Sequence, residues 1–298
     1  MTKKIITEKD IETLFNQQLN QWELARQNYD AMKNIKTKDI DFDGFKIKVQ
    51  FNPARITSTT AKVDALSLKE RKCFLCLPNL PSEERGLSYD DDYQILVNPY
   101  PIFPIHYTIP CYDHTNQRII ARFTDMLDMA KRFENYVIFY NGPKSGASAP
   151  DHFHFQAGTK DYFPLCYDIK NLSQKTVWQN EHIKVFNLEN YLRNVFVIES
   201  ADKRRIESAF KEIYYSLETM DDEIEPMMNI LSWFENEKWI CSIFPRKVHR
   251  PKCFFVEGDE KIIITPGSAE MAGLFITPNE KDFDKINAEI IREIFEEI

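Results

Sequence analysis

The 298-residue sequence predicts an α+β fold in which antiparallel sheets are flanked by helices and the chain divides into two related halves. Strand-like runs come in pairs separated by short turns. Helical patterns fall between those pairs in both halves. No Gly-x-Gly-x-x-Gly or Walker loop introduces a parallel nucleotide-binding unit. The expected halves are residues 1–175 and 176–298. A hydrophobic content of 43%, with 22 Phe and 13 Tyr, supplies a sizeable core and excludes global disorder.

The elements follow in order. Thr7 to Asn34 reads as a helix, with Asp10 three residues after Thr7 as in a capping box and Ile11, Leu14, Phe15, Leu19, Trp22 and Tyr29 at helical spacing. Phe45, Ile47, Val49 and Phe51 alternate within a strand expected over 40–55 and broken by Asn52-Pro53. Residues 73–92 are loop-rich. Strands are expected over 93–97 and 105–109, with Asn98-Pro99-Tyr100-Pro101 turning the chain between them. A helix over 124–135 follows, then strands at 137–140 and 152–157 joined by a loop long for a hairpin. In the second half, strands are expected at 185–188, 196–199, 228–234, 239–245 and 253–256, and helices over 201–220 and from Glu280.

A net charge of −8 argues against a nucleic-acid polymer as partner, because the overall field repels it, but leaves room for a nucleotide in a local positive pocket. Met1–Asp10 reaches charges at once and has no apolar signal core, and no stretch approaches a membrane span, so a cytoplasmic protein is expected. Six cysteines in a chain this long do not make a disulfide scaffold. Cys111, Cys166, Cys241 and Cys253 sit singly among apolar or aromatic neighbours and are expected to be buried.

The densest chemistry lies in Asp151-His152-Phe153-His154-Phe155-Gln156. On a strand, period two puts His152, His154 and Gln156 on one face, roughly 7 Å apart, and the two phenylalanines on the core face. Upstream, residues 140–150 form a loop of small residues, amides and hydroxyls, including Asn141, Lys144, Ser145, Gly146 and Ser148. Such a loop lets backbone N–H groups approach an anion. A neutral His154 can attack phosphorus and leave as a phosphoramidate, while Gln156 donates to a phosphate oxygen as charge builds there.

Cys73-x-x-Cys76 has metal-ligand spacing. A structural zinc needs four ligands, and His114 and His152 are the candidates for the other two. A redox dithiol or two inert buried cysteines are the alternatives. His106, mid-strand, is expected to be a hydrogen-bonded structural residue, and His182 and His249 surface or structural ones. Arg246, Lys247 and Arg250 concentrate positive charge, either as a solvated face or as a second wall for polyphosphate.

These residues resemble the histidine-triad-like (HIT-like) nucleotidyltransferases, which include galactose-1-phosphate uridylyltransferases, diadenosine tetraphosphate phosphorylases and GDP-hexose phosphorylases. Residues 146–157 look like the serine/glycine loop and His-x-His-x-Gln motif of that superfamily, with Asp151 where a loop Asn or His is usual. Asn52-Pro53-Ala54-Arg55, Cys73-x-x-Cys76 and Asp113-His114 follow the order of the uridylyltransferase zinc ligands, and Trp239–Arg246 and Met271–Phe275 are similar to the phosphorylase C-terminal part. The resemblance implies two triad-like halves and a nucleotidyltransferase of the phosphorylase type. It implies an NDP-sugar or dinucleoside polyphosphate substrate, a covalent nucleotidyl-His154 and phosphate or sugar phosphate as acceptor. It further implies Arg55 as a substrate contact, structural zinc and a possible homodimer. A hydrolase, or a zinc-stabilised nucleotide-binding module without turnover, are the rival readings.

Overall fold

A computed structural model describes residues 5–298, so the first four residues of the Met1–Asp10 segment lie outside it. Thr7 opens the first helix as expected, its N–H and hydroxyl both donating to the Asp10 carboxylate, at 2.9 and 2.7 Å. The single helix expected over 7–34 is in fact two, Glu8–Gln21 and Glu23–Met32, because Trp22 between them is extended and buried. The strand expected over 40–55 is also two, β1 (Lys36–Asp41) and β2 (Lys46–Phe51), folded back on each other. Asp43-Gly44 makes the turn, with Gly44 at a φ of 84° that side chains other than glycine rarely adopt.

The remaining strands are β3 (Gly86–Tyr89), β4 (Tyr93–Val97), β5 (His106–Pro110), β6 (Tyr136–Asn141), β7 (His154–Thr159), β8 (Gln174–Gln179), β9 (Ile183–Leu188), β10 (Phe196–Ser200), β11 (Met228–Glu235), β12 (Lys238–Pro245) and β13 (Leu274–Thr277). Ten of them form one sheet in the order β3-β4-β5-β7-β6-β11-β12-β10-β9-β8, with every neighbouring pair antiparallel. That order reads the same from either edge. Each half contributes three antiparallel strands, one helix and two further strands, the helices being Phe123–Arg132 and Lys203–Ser216. The two units meet at β6 and β11, where Asn141 faces Asn229 and Ile138 faces Ser232. The α+β antiparallel expectation is met, and the repeat is one of topology as well as of element content.

The sheet is buried on both faces. Against one lie the N-terminal helices and the two repeat helices, joined where Phe123 stacks on Phe210 at 3.7 Å. Against the other lie β1, β2 and β13, with the C-terminal helices Glu280–Lys285 and Ala288–Glu297. The strand pattern at 253–256 is instead a 3-10 turn, Lys252–Phe254, entered through Pro251, which cannot donate to a ladder. β13 pairs in parallel with β2 and so ties the second half back to the first.

One close approach in this arrangement is testable. A Cβ on Gly158 of β7 would lie 2.5 Å from the Phe103 ring, which stacks on Phe163 at 4.4 Å and meets His106 edge-on at 5.3 Å. Gly158→Ala should therefore cost about 1–3 kcal/mol of stability, as overpacking does. Urea unfolding should show a lower midpoint at unchanged slope, and an unmoved midpoint would mean that the ring has room to give.

Candidate active site

β6 and β7 pair only from Tyr136–Thr159 to Phe139–Gln156. Beyond that the strands part, and the loop of residues 142–153 leaves from the gap. β7 begins at His154. His152 lies before the strand, so the two imidazoles do not share a strand face as period two suggested: His152 turns towards the cysteines, and His154, two residues before Gln156 on β7, shares the face of that glutamine. Phe153 and Phe155 are fully buried against Tyr93 and Tyr140, as expected.

His154 is 4% exposed, and its Nδ1 lies 2.8 Å from the carbonyl oxygen of His152. A carbonyl only accepts, so Nδ1 carries the hydrogen and donates it, and Nε2 keeps its lone pair. Burial holds the imidazole down at about 4, so it is neutral near pH 7. Two residues on, Gln156 Oε1 is 2.9 Å from Nε2 of His106. Burial, followed by the nearby charge of Arg55, lowers His106 to about 3. The neutral ring therefore donates its one N–H to Gln156. That commits the carbonyl end of the amide and leaves its NH₂ for the cleft. His106 is hydrogen-bonded as expected, and its partner is the motif glutamine.

The second half clamps the loop. Asn141 Oδ1 accepts from Asn229 Nδ2 (2.9 Å) and from the backbone N–H and hydroxyl of Ser268 (2.7 and 2.8 Å). Asn229 also donates to the carbonyl of Ser145 at 2.6 Å. Arg246 is buried behind them, donating to Asn229 Oδ1 and Pro266 O, both at 2.8 Å. Gly146 has a φ of 93°, and a Cβ there would sit 2.7 Å from Gly267 Cα, so loop and second half meet backbone to backbone.

Arg55, Asn141, Gly146, Ser148 and Gln156 line one small polar cleft, closed from the other side by Gly267–Glu270. Arg55 is anchored on Tyr100 O at 2.8 Å, and burial lowers both Arg55 and Arg246 to about 10, so both stay charged near neutrality. Burial raises Glu270 to about 7. Ser145 is buried in the protein. Lys144 turns outward to Asp222, at 3.0 Å, and Glu223. The triplet Arg246, Lys247 and Arg250 is neither a solvated face nor a single wall. Arg246 points inward. Lys247 is exposed and donates towards Glu296 O at 3.4 Å. Arg250 binds the Thr265 hydroxyl and the carbonyls of Thr59 and Ala61.

Cys73, Cys76, His114 and His152 bring one ligand atom each within 4.8 Å of the others. Cys73 Sγ is 3.3 Å from His152 Nδ1, and Cys76 Sγ is 3.1 Å from His114 Nδ1 and 3.5 Å from His152 Nδ1. A tetrahedral ion with ordinary zinc–sulfur and zinc–nitrogen bonds sets such pairs about 3.6 Å apart, so the four can hold a metal ion. His152 Nε2 is 2.8 Å from Cys111 O, which fixes the tautomer that offers Nδ1. Asp151 pairs with Arg71 and lies 3.8 Å from His114 Nε2. Among the other cysteines, Cys111 and Cys241 are buried, and Cys166 and Cys253 only partly so. His182 is exposed beside Glu181, and His249 is partly buried near Arg246, Arg250 and Lys144, whose charges add to burial in lowering it to about 4.

The sequence reading missed Asn229, Ser268 and Gln117. Asn229 alone carried a signal, as a lone amide inside the apolar run Met228–Phe234. No helix of the described residues is long and apolar enough to cross a membrane.

Residues 168–298 match the family described as "GDPGP1-like, C-terminal domain", and residues 14–159 a domain of unknown function, DUF4922. No curated protein matches the chain. Similar solved structures include a DUF4931 family protein from Bacillus cereus (20% identity, TM-score 0.38, 57% of this chain and 89% of that one). A uridylyltransferase (14%, 0.36, 76% and 90%) and a uridylyltransferase mutant (13%, 0.36, 74% and 93%) are two others.

The burial of His154 sets its titration. In isotope-labelled protein, Nε2 of His154 should stay unprotonated from about pH 8 down to about pH 5.5, where an ordinary imidazole of pKa about 6.5 would be mostly charged. A nitrogen resonance of His154 that titrates with a midpoint near 6.5 would contradict the geometry.

Proposed function

We propose that the chain is a nucleotidyltransferase of the phosphorylase type acting on an NDP-sugar or dinucleoside polyphosphate, a reading supported by the match of residues 168–298 to the family described as "GDPGP1-like, C-terminal domain". The observation that carries this is the donation of His154 Nδ1–H to the His152 carbonyl, which leaves Nε2 its lone pair on the same strand face as Gln156, a residue that lines the cleft.

In the first step Nε2 of His154 attacks the α-phosphorus. The Nε2–P bond forms, the bond to the bridging oxygen breaks, and that oxygen leaves with the sugar phosphate or the distal nucleotide. In the second step an oxygen of inorganic phosphate attacks the same phosphorus, the Nε2–P bond breaks, and the nucleoside diphosphate is released; with a sugar phosphate as acceptor the product is an NDP-sugar. The NH₂ of Gln156 donates to a non-bridging oxygen as charge gathers on the transferring group. Arg55 and the backbone of the loop line the same cleft and supply charge and donors there. Lys144, held by Asp222 and Glu223, plays no part at the reacting phosphorus in this reading.

We assign structural zinc to Cys73, Cys76, His114 and His152, a donor set of two thiolates and two imidazoles that suits this ion. Zinc bound there would lock His152. Because the His152 carbonyl holds His154, loss of the ion should be felt in the chemistry as well as in stability. GDP-sugars are the first candidates for substrate, given the family that matches residues 168–298.

His154→Ala should abolish transfer with the fold intact, and Gln156→Ala should slow it by about 10²–10³, as does removing one oxyanion donor. The measurement is mass spectrometry of products from a panel of NDP-sugars and dinucleoside polyphosphates, with and without phosphate. Nucleotide trapped on His154, and product that needs phosphate, are expected. Turnover without added phosphate would make water the acceptor, and binding without turnover would make the protein a nucleotide-binding module. Metal analysis of protein purified without chelators should find about one zinc per chain, from the four-ligand rule. Cys76→Ser should then lower both thermal stability and the transfer rate.

A further inference from the structure

Gln117 is wholly buried and belongs to no strand. Its surroundings follow from the way β6 and β7 part. The last paired residues are Phe139 and Gln156. In an antiparallel pair, rungs that exchange two backbone hydrogen bonds recur at every second residue. The next such rung would set Asn141 against His154, and this rung is missing.

The carboxamide of Gln117 stands in its place. Its Oε1 accepts the His154 N–H at 2.8 Å. Its Nε2 donates to His154 O at 2.9 Å and to Asn141 O at 3.0 Å. Both amide hydrogens and the oxygen are therefore used. On the opposite edge of β7, the residue facing His154 is Pro110, which has no N–H to give. Gln117 also donates its own backbone N–H to Pro150 O at 2.9 Å, at the far end of the loop. One side chain thus serves the backbone of His154 twice and that of Asn141 once.

We infer that Gln117 is a positioning residue for the transfer reaction: a spacer one amide wide, inserted between β6 and β7, that fixes how far His154 stands from Asn141 and so from the loop. The inference rests on His154 being the nucleophile. Removing the amide leaves two alternatives. The strands close and re-pair, which draws His154 towards Asn141, or they stay apart with two carbonyls and one N–H buried without partners. The first displaces the nucleophile from the donors opposite it, the second frees the His154 backbone from the bonds that hold it in place, and displacement of about 1 Å is worth on the order of 10²-fold in rate. Binding of substrate is spared, because Gln117 touches backbone and does not line the cleft.

The test is single-turnover labelling of the protein with GDP-glucose and UDP-glucose carrying label on the α-phosphorus. Gln117→Met keeps the volume and removes every hydrogen bond. It should transfer label to His154 on the order of 10²-fold more slowly, with metal content unchanged and Kd within about threefold of the parent, since ground-state binding is untouched. Gln117→Glu keeps the acceptor for His154 N–H and loses both donors. A buried carboxyl is protonated more readily than an exposed one, and the protonated form regains one donor. Its labelling rate relative to the parent should therefore rise as the pH falls, which a role in folding alone would not produce. Label transfer by Gln117→Met at the parent's rate overturns the inference. If that variant fails to fold, a ratio for Gln117→Glu that is flat with pH overturns it instead. A parent protein that takes up no label defeats the proposed transfer and this inference with it, whereas a parent that labels beside a Met variant labelling equally fast defeats the inference alone.

Discussion

The peptide carbonyl of His152 is the point on which the site turns. The side chain of that residue faces Cys73 and Cys76, while its carbonyl, 2.8 Å from His154 Nδ1, selects the tautomer of the imidazole two residues on. A single residue thus couples a cluster that can hold a metal ion to the nitrogen proposed as nucleophile without any contact between the two. The chemistry requires this separation. Imidazole bound to a metal through one nitrogen has surrendered the lone pair that a nucleophile needs, so adjacent histidines in one motif can do both tasks only if each is turned a different way. The turn that ends at His152, followed by a strand that starts at His154, provides the two directions.

The topological repeat explains why so much of the cleft comes from the second half although the motif lies in the first. β12 stands where β7 stands in its own unit, yet its sequence, Lys238–Pro245, contains neither His nor Gln. What the second unit supplies is a rigid wall. Asn229 on β11, Arg246 just after β12 and Ser268 beyond it are bound to one another and to Asn141 through hydrogen bonds of 2.7–2.9 Å. All are buried, and a buried polar network of this kind is stable only when its members are satisfied together. The loop of the first half completes it, so the loop and the join between the halves are one structure.

The sequence made the His-x-His-x-Gln strand legible because its signals are local. Period two placed Phe153 and Phe155 in the core, Cys-x-x-Cys announced ligands, and small residues announced a loop. The capping box at Thr7 and Asp10 was equally local. What stayed hidden depends on distant pairing. Gln50 facing Ile276 in the parallel β2–β13 pair, or Asn141 facing Asn229, leaves no trace in periodicity. Local misreadings also have physical causes. A helical pattern ran through Trp22, whose buried indole suits either helix, and Cys253–Val256 has strand-like residues but sits behind Pro251. The partners of Lys144, Asp222 and Glu223, were equally out of reach of a local reading, because they lie far along the chain.

Under the proposed function, this arrangement also accounts for how a chain of net charge −8 would receive an anion. Flexible surface lysines would be paired by the abundant carboxylates, as Lys144 is. The cleft relies instead on groups that solvent and counter-ions reach poorly. Arg55, partly buried at the cleft, and Arg246, buried behind it, are charged and tied to backbone carbonyls, so neither can be drawn off to a surface acid. The remaining donors are neutral: the Gln156 amide turned by His106 and the backbone N–H groups of the loop. In a site of low polarity such fixed dipoles stabilise developing charge strongly while attracting few competing ions. The burial that keeps His154 unprotonated is therefore the same burial that makes its neighbours effective.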